Sequence, residues 1–126
     1  MNALLMAAAI LLFLLGVAHS YLGERFILIP LFRRGHLPAI FASEVLTART
    51  LRFAWHLTSI AWWGAAVILL LLAPSPPAQL QVLVGRVLAA TFLASGLLAL
   101  CVSRGKHFSW VVFSAVALLT WFGVGR

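Results

Sequence analysis

The sequence predicts an all-α integral membrane protein, a four-helix bundle with a short interfacial segment between its first two helices. Three observations carry that reading. Of the 126 residues, 64% are hydrophobic and only 9% are charged, against about 45–50% apolar and about 25% charged in a soluble domain. The apolar residues gather into four runs, approximately 3–22, 51–72, 80–102 and 108–124, each close to the roughly 20 residues that cross a bilayer core about 30 Å thick. The basic residues are sorted by side: Arg25, Arg33, Arg34, Arg49, Arg52, Arg104 and Lys106, seven of the nine, lie in or beside the first and third connections. The four runs use the whole chain, so residues 1–126 are expected to form a single transmembrane domain.

A net charge of +7 would point to nucleic acid in a soluble protein. Here the placement of the charges accounts for them. By the positive-inside rule the basic face is cytoplasmic, both termini lie outside, and nucleic acid drops out as a partner. The expected setting is a bacterial inner membrane, with anionic lipids at the cytoplasmic face as the natural partners. A bundle this small is also compatible with a homo-oligomer or a place in a larger membrane complex.

The first run opens with a segment that has a small-x-small pattern, Gly16-Val17-Ala18, but no positive n-region, and is therefore expected to remain as a span. Its packing edge reads Ala9, Leu12, Gly16, His19 and Gly23, the glycines allowing close helix approach. Pro30 and Pro38 interrupt the connection that follows. The expected result is a helix that ends or kinks near Ile29 and a segment in the headgroup layer, with Arg33 and Arg34 towards anionic lipid. Ser43 followed by Glu44 reads as the cap of a short helix leading to the second span. In the third run Arg86 is expected to snorkel, Thr91, Ser95, Gly96 and Ala99 to form a small-residue packing surface, and Cys101, the only cysteine, to stay reduced. Trp55, Trp110 and Trp121 suit the interface belts.

The candidate site lies where the second run begins. Stepping by three and four selects Arg49, Arg52, His56, Ser59, Trp63 and Ala66 as one helical stripe. Threading brings His19, Ser20 and Glu24, at the end of the first run, to the same depth. Ionisable groups at that level are costly and face a bundle interior or a wet cavity. A polar site between the first two helices follows, holding a ligand or cofactor against His19, His56, Trp63, Ser59 and Ser20. Glu24 is expected to pair with Arg49 or Arg52, and Trp62 or Trp63 to face the bundle or a flat bound molecule such as a porphyrin or quinone.

Several readings of this cluster stand side by side. In a redox reading His19 and His56 are axial ligands to haem b, as in the four-helix membrane b-type cytochromes that paired histidines resemble, or hold a non-haem metal with Glu24. In a transport or binding reading Arg49, Arg52, Arg33 and Arg34 attract an anionic solute or headgroup, and Glu24 and His56 respond to protons. In a structural reading the cluster is a salt-bridge network within an accessory subunit that has no chemistry of its own. Enzyme templates fit poorly: the chain has no Asp, no HExxH, no phosphate loop and no nucleophile elbow. Serine hydrolysis would require Ser20 or Ser59 beside a histidine and an orienting group.

Overall fold

The computed structural model describes residues 2–39, 43–74 and 78–124. Over these the chain is all-α, with no strand. Helix α1 runs through Ala3–Arg34, α2 through Glu44–Leu72, α3 through Gln79–Ser103 and α4 through Ser109–Gly123. The first three are long and apolar enough to cross a membrane; α4, at 15 residues, is shorter than the span expected over 108–124.

Of the two outcomes expected near Ile29, an end or a kink, α1 does not end there but is locally distorted just before it. A π-helical turn over Glu24–Leu28 carries the helix on, and Ile29 donates its N–H to the Glu24 carbonyl, five residues back. Pro30 has no N–H, and in a regular helix its ring would collide with the carbonyl of Phe26. The widened turn absorbs that misfit, as single π turns inside α-helices do. The helix then ends at Arg34, where Gly35 supplies the positive φ of 67° that an L side chain disfavours. Helix α2 likewise starts earlier than Leu51. Ser43 accepts the Leu46 N–H at 3.2 Å, as its sequence implies, but the helix it caps is α2 itself, a continuous rod of 29 residues. Thr47 Oγ1 donates to the Pro38 carbonyl and ties the first connection to that rod.

The helices run antiparallel in turn. At one end Asn2 clasps three of them: its Oδ1 caps α1 by accepting the Leu4 and Leu5 N–H groups, its backbone N–H donates to the Ala73 carbonyl at 2.8 Å, and its Nδ2 donates to the Gly123 carbonyl at 2.6 Å. A core of Leu5, Leu12, Leu69, Phe92, Phe113 and Val116 extends from there. Contacts close three sides of the bundle, α1 with α2, α1 with α4 and α3 with α4; α2 and α3, though consecutive, barely touch. Small residues set the close sides. Gly123 leaves no room for a Cβ beside Leu5, Gly85 none beside Val124, and Gly96 faces Ser114. Thr91 and Ser95 bond back to their own helix, at Val87 and Thr91; Thr91 is exposed and drops out of the expected packing surface of α3, while Gly96 is buried and Ser95 and Ala99 are half-buried. Arg86 does not simply snorkel: its guanidinium lies over the Trp121 ring, 5.3 Å from the centroid.

Candidate functional site

The end of the molecule opposite Asn2 is organised by the seam between α1 and α2. Two indoles of α2 are seated in glycine notches of α1. Trp55 fills the space above Gly23 and donates Nε1–H to the His19 carbonyl at 2.9 Å; Trp63 does the same above Gly16, donating to the Phe13 carbonyl at 3.1 Å. Any side chain at either glycine would occupy the indole's place. These notches fix the rotation of the two helices and therefore what each face presents.

On one face of the seam a hydrogen-bonded chain runs from the buried interface to the surface. Ser59 is fully buried, and Ser20 Oγ lies 2.9 Å from Ser59 Oγ, to which it donates, and 2.9 Å from His56 Nδ1. His56 Nε2 lies 3.1 Å from Glu24 Oε2. The Glu24 carboxylate takes both arms of Arg52, with Nε 3.1 Å from Oε2 and a terminal nitrogen 2.8 Å from Oε1. A bidentate guanidinium suits an ionised carboxylate, so the His56 edge that meets it carries its N–H there. Arg52 is held in turn over the Phe32 ring at 5.0 Å, a contact that exists only because α1 continues past Pro30. Ser20, Glu24, Tyr21, Arg25 and Trp63 line an open groove of about 510 Å³ on this face.

The other face belongs to His19. Its ring stacks on Trp55, 4.5 Å between centroids and 4° from parallel, and meets the edge of Trp62 at 4.8 Å. Trp62 in turn packs edge-on against Phe113 at 5.2 Å, and Phe113 stacks on Phe92 of α3 at 6.1 Å. This ladder of rings links all four helices. Trp55, His19, Trp62 and Phe113 form one wall of a cavity of about 690 Å³ between α1, α2 and α4, completed by aliphatic side chains such as Leu15 and Val112. His19, His107 and Ser109 are the polar groups on its wall apart from the indole N–H groups. The cavity lies away from the end where Gly123 packs tightly against Leu5.

The sequence-selected residues therefore divide. His56, Ser20, Ser59, Glu24 and Arg52 come together as one network. His19 stands on the opposite face, and Trp63 belongs to the groove and the Gly16 notch. Arg33, Arg34 and Arg49 are exposed, and Glu24 pairs with Arg52 rather than Arg49. Of the two indoles expected to face the bundle or a flat molecule, Trp62 is the one on the cavity wall, and Trp55, Phe113 and His107 join it there without having been singled out by the sequence. The spacing of Trp55, Ser59, Trp62, Ala66, Leu69 and Ala73 carried the signal, since these lie on the face of α2 that turns inward.

The residues do not fit a bis-histidine haem. Both ring nitrogens of His56 are engaged, by Ser20 and Glu24, and the His19 ring is stacked on Trp55 and meets Trp62 edge-on at the other side of the seam. Nor do three or more His, Cys, Asp or Glu side chains converge as a metal site would need, among the described residues. The chain matches no protein-family model, no curated protein and no solved structure, so its own geometry is what speaks to its function.

Proposed function

We propose that the protein is embedded in a bilayer through all four helices, with its basic end cytoplasmic, and that it binds a lipid-soluble ligand with a flat ring headgroup, of the quinone class, between α1, α2 and α4. The observation that carries this is the aromatic wall. Trp55, His19, Trp62 and Phe113 line a single apolar cavity, whose volume falls within the roughly 300–1,000 Å³ typical of small-molecule sites. Ring faces and edges on one wall suit a planar headgroup. An imidazole N–H of His19 or His107 suits its carbonyl oxygens, and the aliphatic walls suit a tail. Embedding is supported by large apolar side chains exposed around the helices, among them Phe13, Leu71, Leu98 and Val102. A helix of 15 residues can complete the bundle by local thinning of the bilayer. The exposed Arg33, Arg34 and Arg49 support contact with anionic lipid at the same end.

Titration of a short-chain quinone into protein reconstituted in lipid nanodiscs tests the reading through tryptophan emission. Saturable quenching is expected, and Ala18→Phe, which fills the cavity from α1, is expected to remove the saturable part. Equal quenching in both proteins would overturn it.

A further inference from the structure

The network on the other face of the seam has the connectivity of a nucleophile, a base and an orienting acid. We infer that Ser20, His56 and Glu24 form an acyl-transfer site that opens to the groove beside Trp63 and acts on carboxylic esters of lipids. This site shares no side chain with the wall of the quinone cavity.

Four features support it. First, Ser20 Oγ has two acceptors at the same 2.9 Å, Ser59 Oγ and His56 Nδ1. A serine hydroxyl has one proton and rotates freely, so the hydrogen turns from Ser59 to His56 without movement of a heavy atom. Second, the ionised Glu24 holds the His56 Nε2–H at 3.1 Å, which leaves Nδ1 as the lone pair facing Ser20. That is the tautomer a general base needs, and the logic is that of serine hydrolases on unrelated folds. Arg52 fixes the carboxylate in that position by holding both of its oxygens. Third, Ser20 lines a groove whose lining is almost wholly apolar, which suits the acyl chain of a lipid ester. Fourth, Ser20 lies 17 residues beyond the first residue of α1 at Ala3, about 26 Å along the helix axis. In a bilayer core about 30 Å thick that is near the level of the acyl ester carbonyls.

The step balances with water as co-reactant. Ser20 Oγ bonds to the ester carbonyl carbon as its proton passes to His56 Nδ1. The bond from that carbon to the alcohol oxygen then breaks, and the departing alcohol takes the proton. Water attacks the acyl-Ser20, giving its proton to His56 and from there to Ser20, and the carboxylic acid is released. Ser20 and His56 are the catalytic residues, and Glu24 positions the imidazole.

A fluorophosphonate probe, which phosphonylates an activated serine with loss of fluoride, tests the inference on the full chain in nanodiscs, with the site read by peptide mass spectrometry. Labelling is expected at Ser20. It should vanish in Ser20→Ala and slow by about a hundredfold or more in His56→Ala, the usual range for loss of a general base. Added imidazole should restore labelling in His56→Ala, which a purely structural histidine would not show. Glu24→Gln should slow the wild-type reaction yet add nothing in the His56→Ala background, because an orienting group acts only through the base it orients. If His56→Ala fails to fold, judged by loss of a monodisperse elution peak, His56→Gln takes its place in the same comparison. Absence of labelling in the wild type, labelling confined to another residue, or a Ser20 rate unchanged by removal of His56 would each overturn the inference.

Discussion

Gly23→Ala isolates the contact that sets the α1–α2 seam. A Cβ built at Gly23 falls inside the Trp55 indole, and even Cζ2, the most distant of the three nearest atoms, would be 2.5 Å away. Ordinary contact begins at 3.4 Å, so the ring must retreat by the difference, about 0.9 Å, and further at its nearer atoms. Overpacking of this kind costs about 1–3 kcal/mol. The retreat also breaks the Trp55 Nε1–H bond to the His19 carbonyl, worth about 0.5–1.5 kcal/mol. The expected loss is therefore about 1.5–4.5 kcal/mol, read from the midpoint of unfolding in a titration of mixed micelles with sodium dodecyl sulfate. Gly64→Ala supplies the control on α2, because a Cβ there meets nothing within 4 Å. It should stabilise the helix by about 0.5–1 kcal/mol, the usual cost of glycine against alanine in a helix. Trp55→Leu in the Gly23→Ala background should recover part of the loss, since the colliding ring is gone. Equal effects of Gly23→Ala and Gly64→Ala, or strictly additive effects of Gly23→Ala and Trp55→Leu, would refute the notch.

Three further outcomes follow from other contacts. Asn2→Ala removes the cap of α1 and the bond to the Gly123 carbonyl, costing about 1 kcal/mol for the cap and about another 1 kcal/mol for the bond. Hydrogen exchange should locate the loosening in the first turn of α1 and the last turn of α4. Arg52→Lys keeps the charge beside Glu24 but loses the fork, and with both groups partly exposed the stability change should stay below about 1 kcal/mol; a much larger change would mean that the pair is structural rather than an anchor for His56. A reporter fused after Arg126 should be active outside the cytoplasm, and cytoplasmic activity would reverse the proposed orientation.

The helices were legible in the sequence because hydropathy and the length of the apolar runs decide them, and Leu72 and Val102 mark their ends to within a residue. What escaped was the local chemistry. The continuation of α1 beyond Pro30 goes through a π-helical turn over Glu24–Leu28, which a proline rule for regular helices does not foresee. The early start of α2 follows from the Ser43 cap, which is visible in the sequence, whereas the continuity of the capped helix with the span is not. In the site, His19 and Ser20 were placed on one wall although consecutive residues of a helix point about 100° apart. Only Ser20 meets His56, and His19 turns to Trp55 and Trp62. The network of Ser20, Ser59, His56, Glu24 and Arg52 was visible as a cluster at one depth, but the cavity was not. It lies between α1, α2 and α4, and the periodicity of any one helix does not encode how three of them meet.

The proposed quinone-class site is tested most directly by photo-crosslinking with a quinone that carries a diazirine in its tail, followed by peptide mapping in nanodiscs. Binding between α1, α2 and α4 predicts that the adducts concentrate on cavity-wall residues such as Leu15, Trp62 and Val112 and disappear with excess unmodified quinone. Adducts spread over Leu71, Leu98 and Val102, which face away from the cavity, and undiminished by competitor would contradict the account.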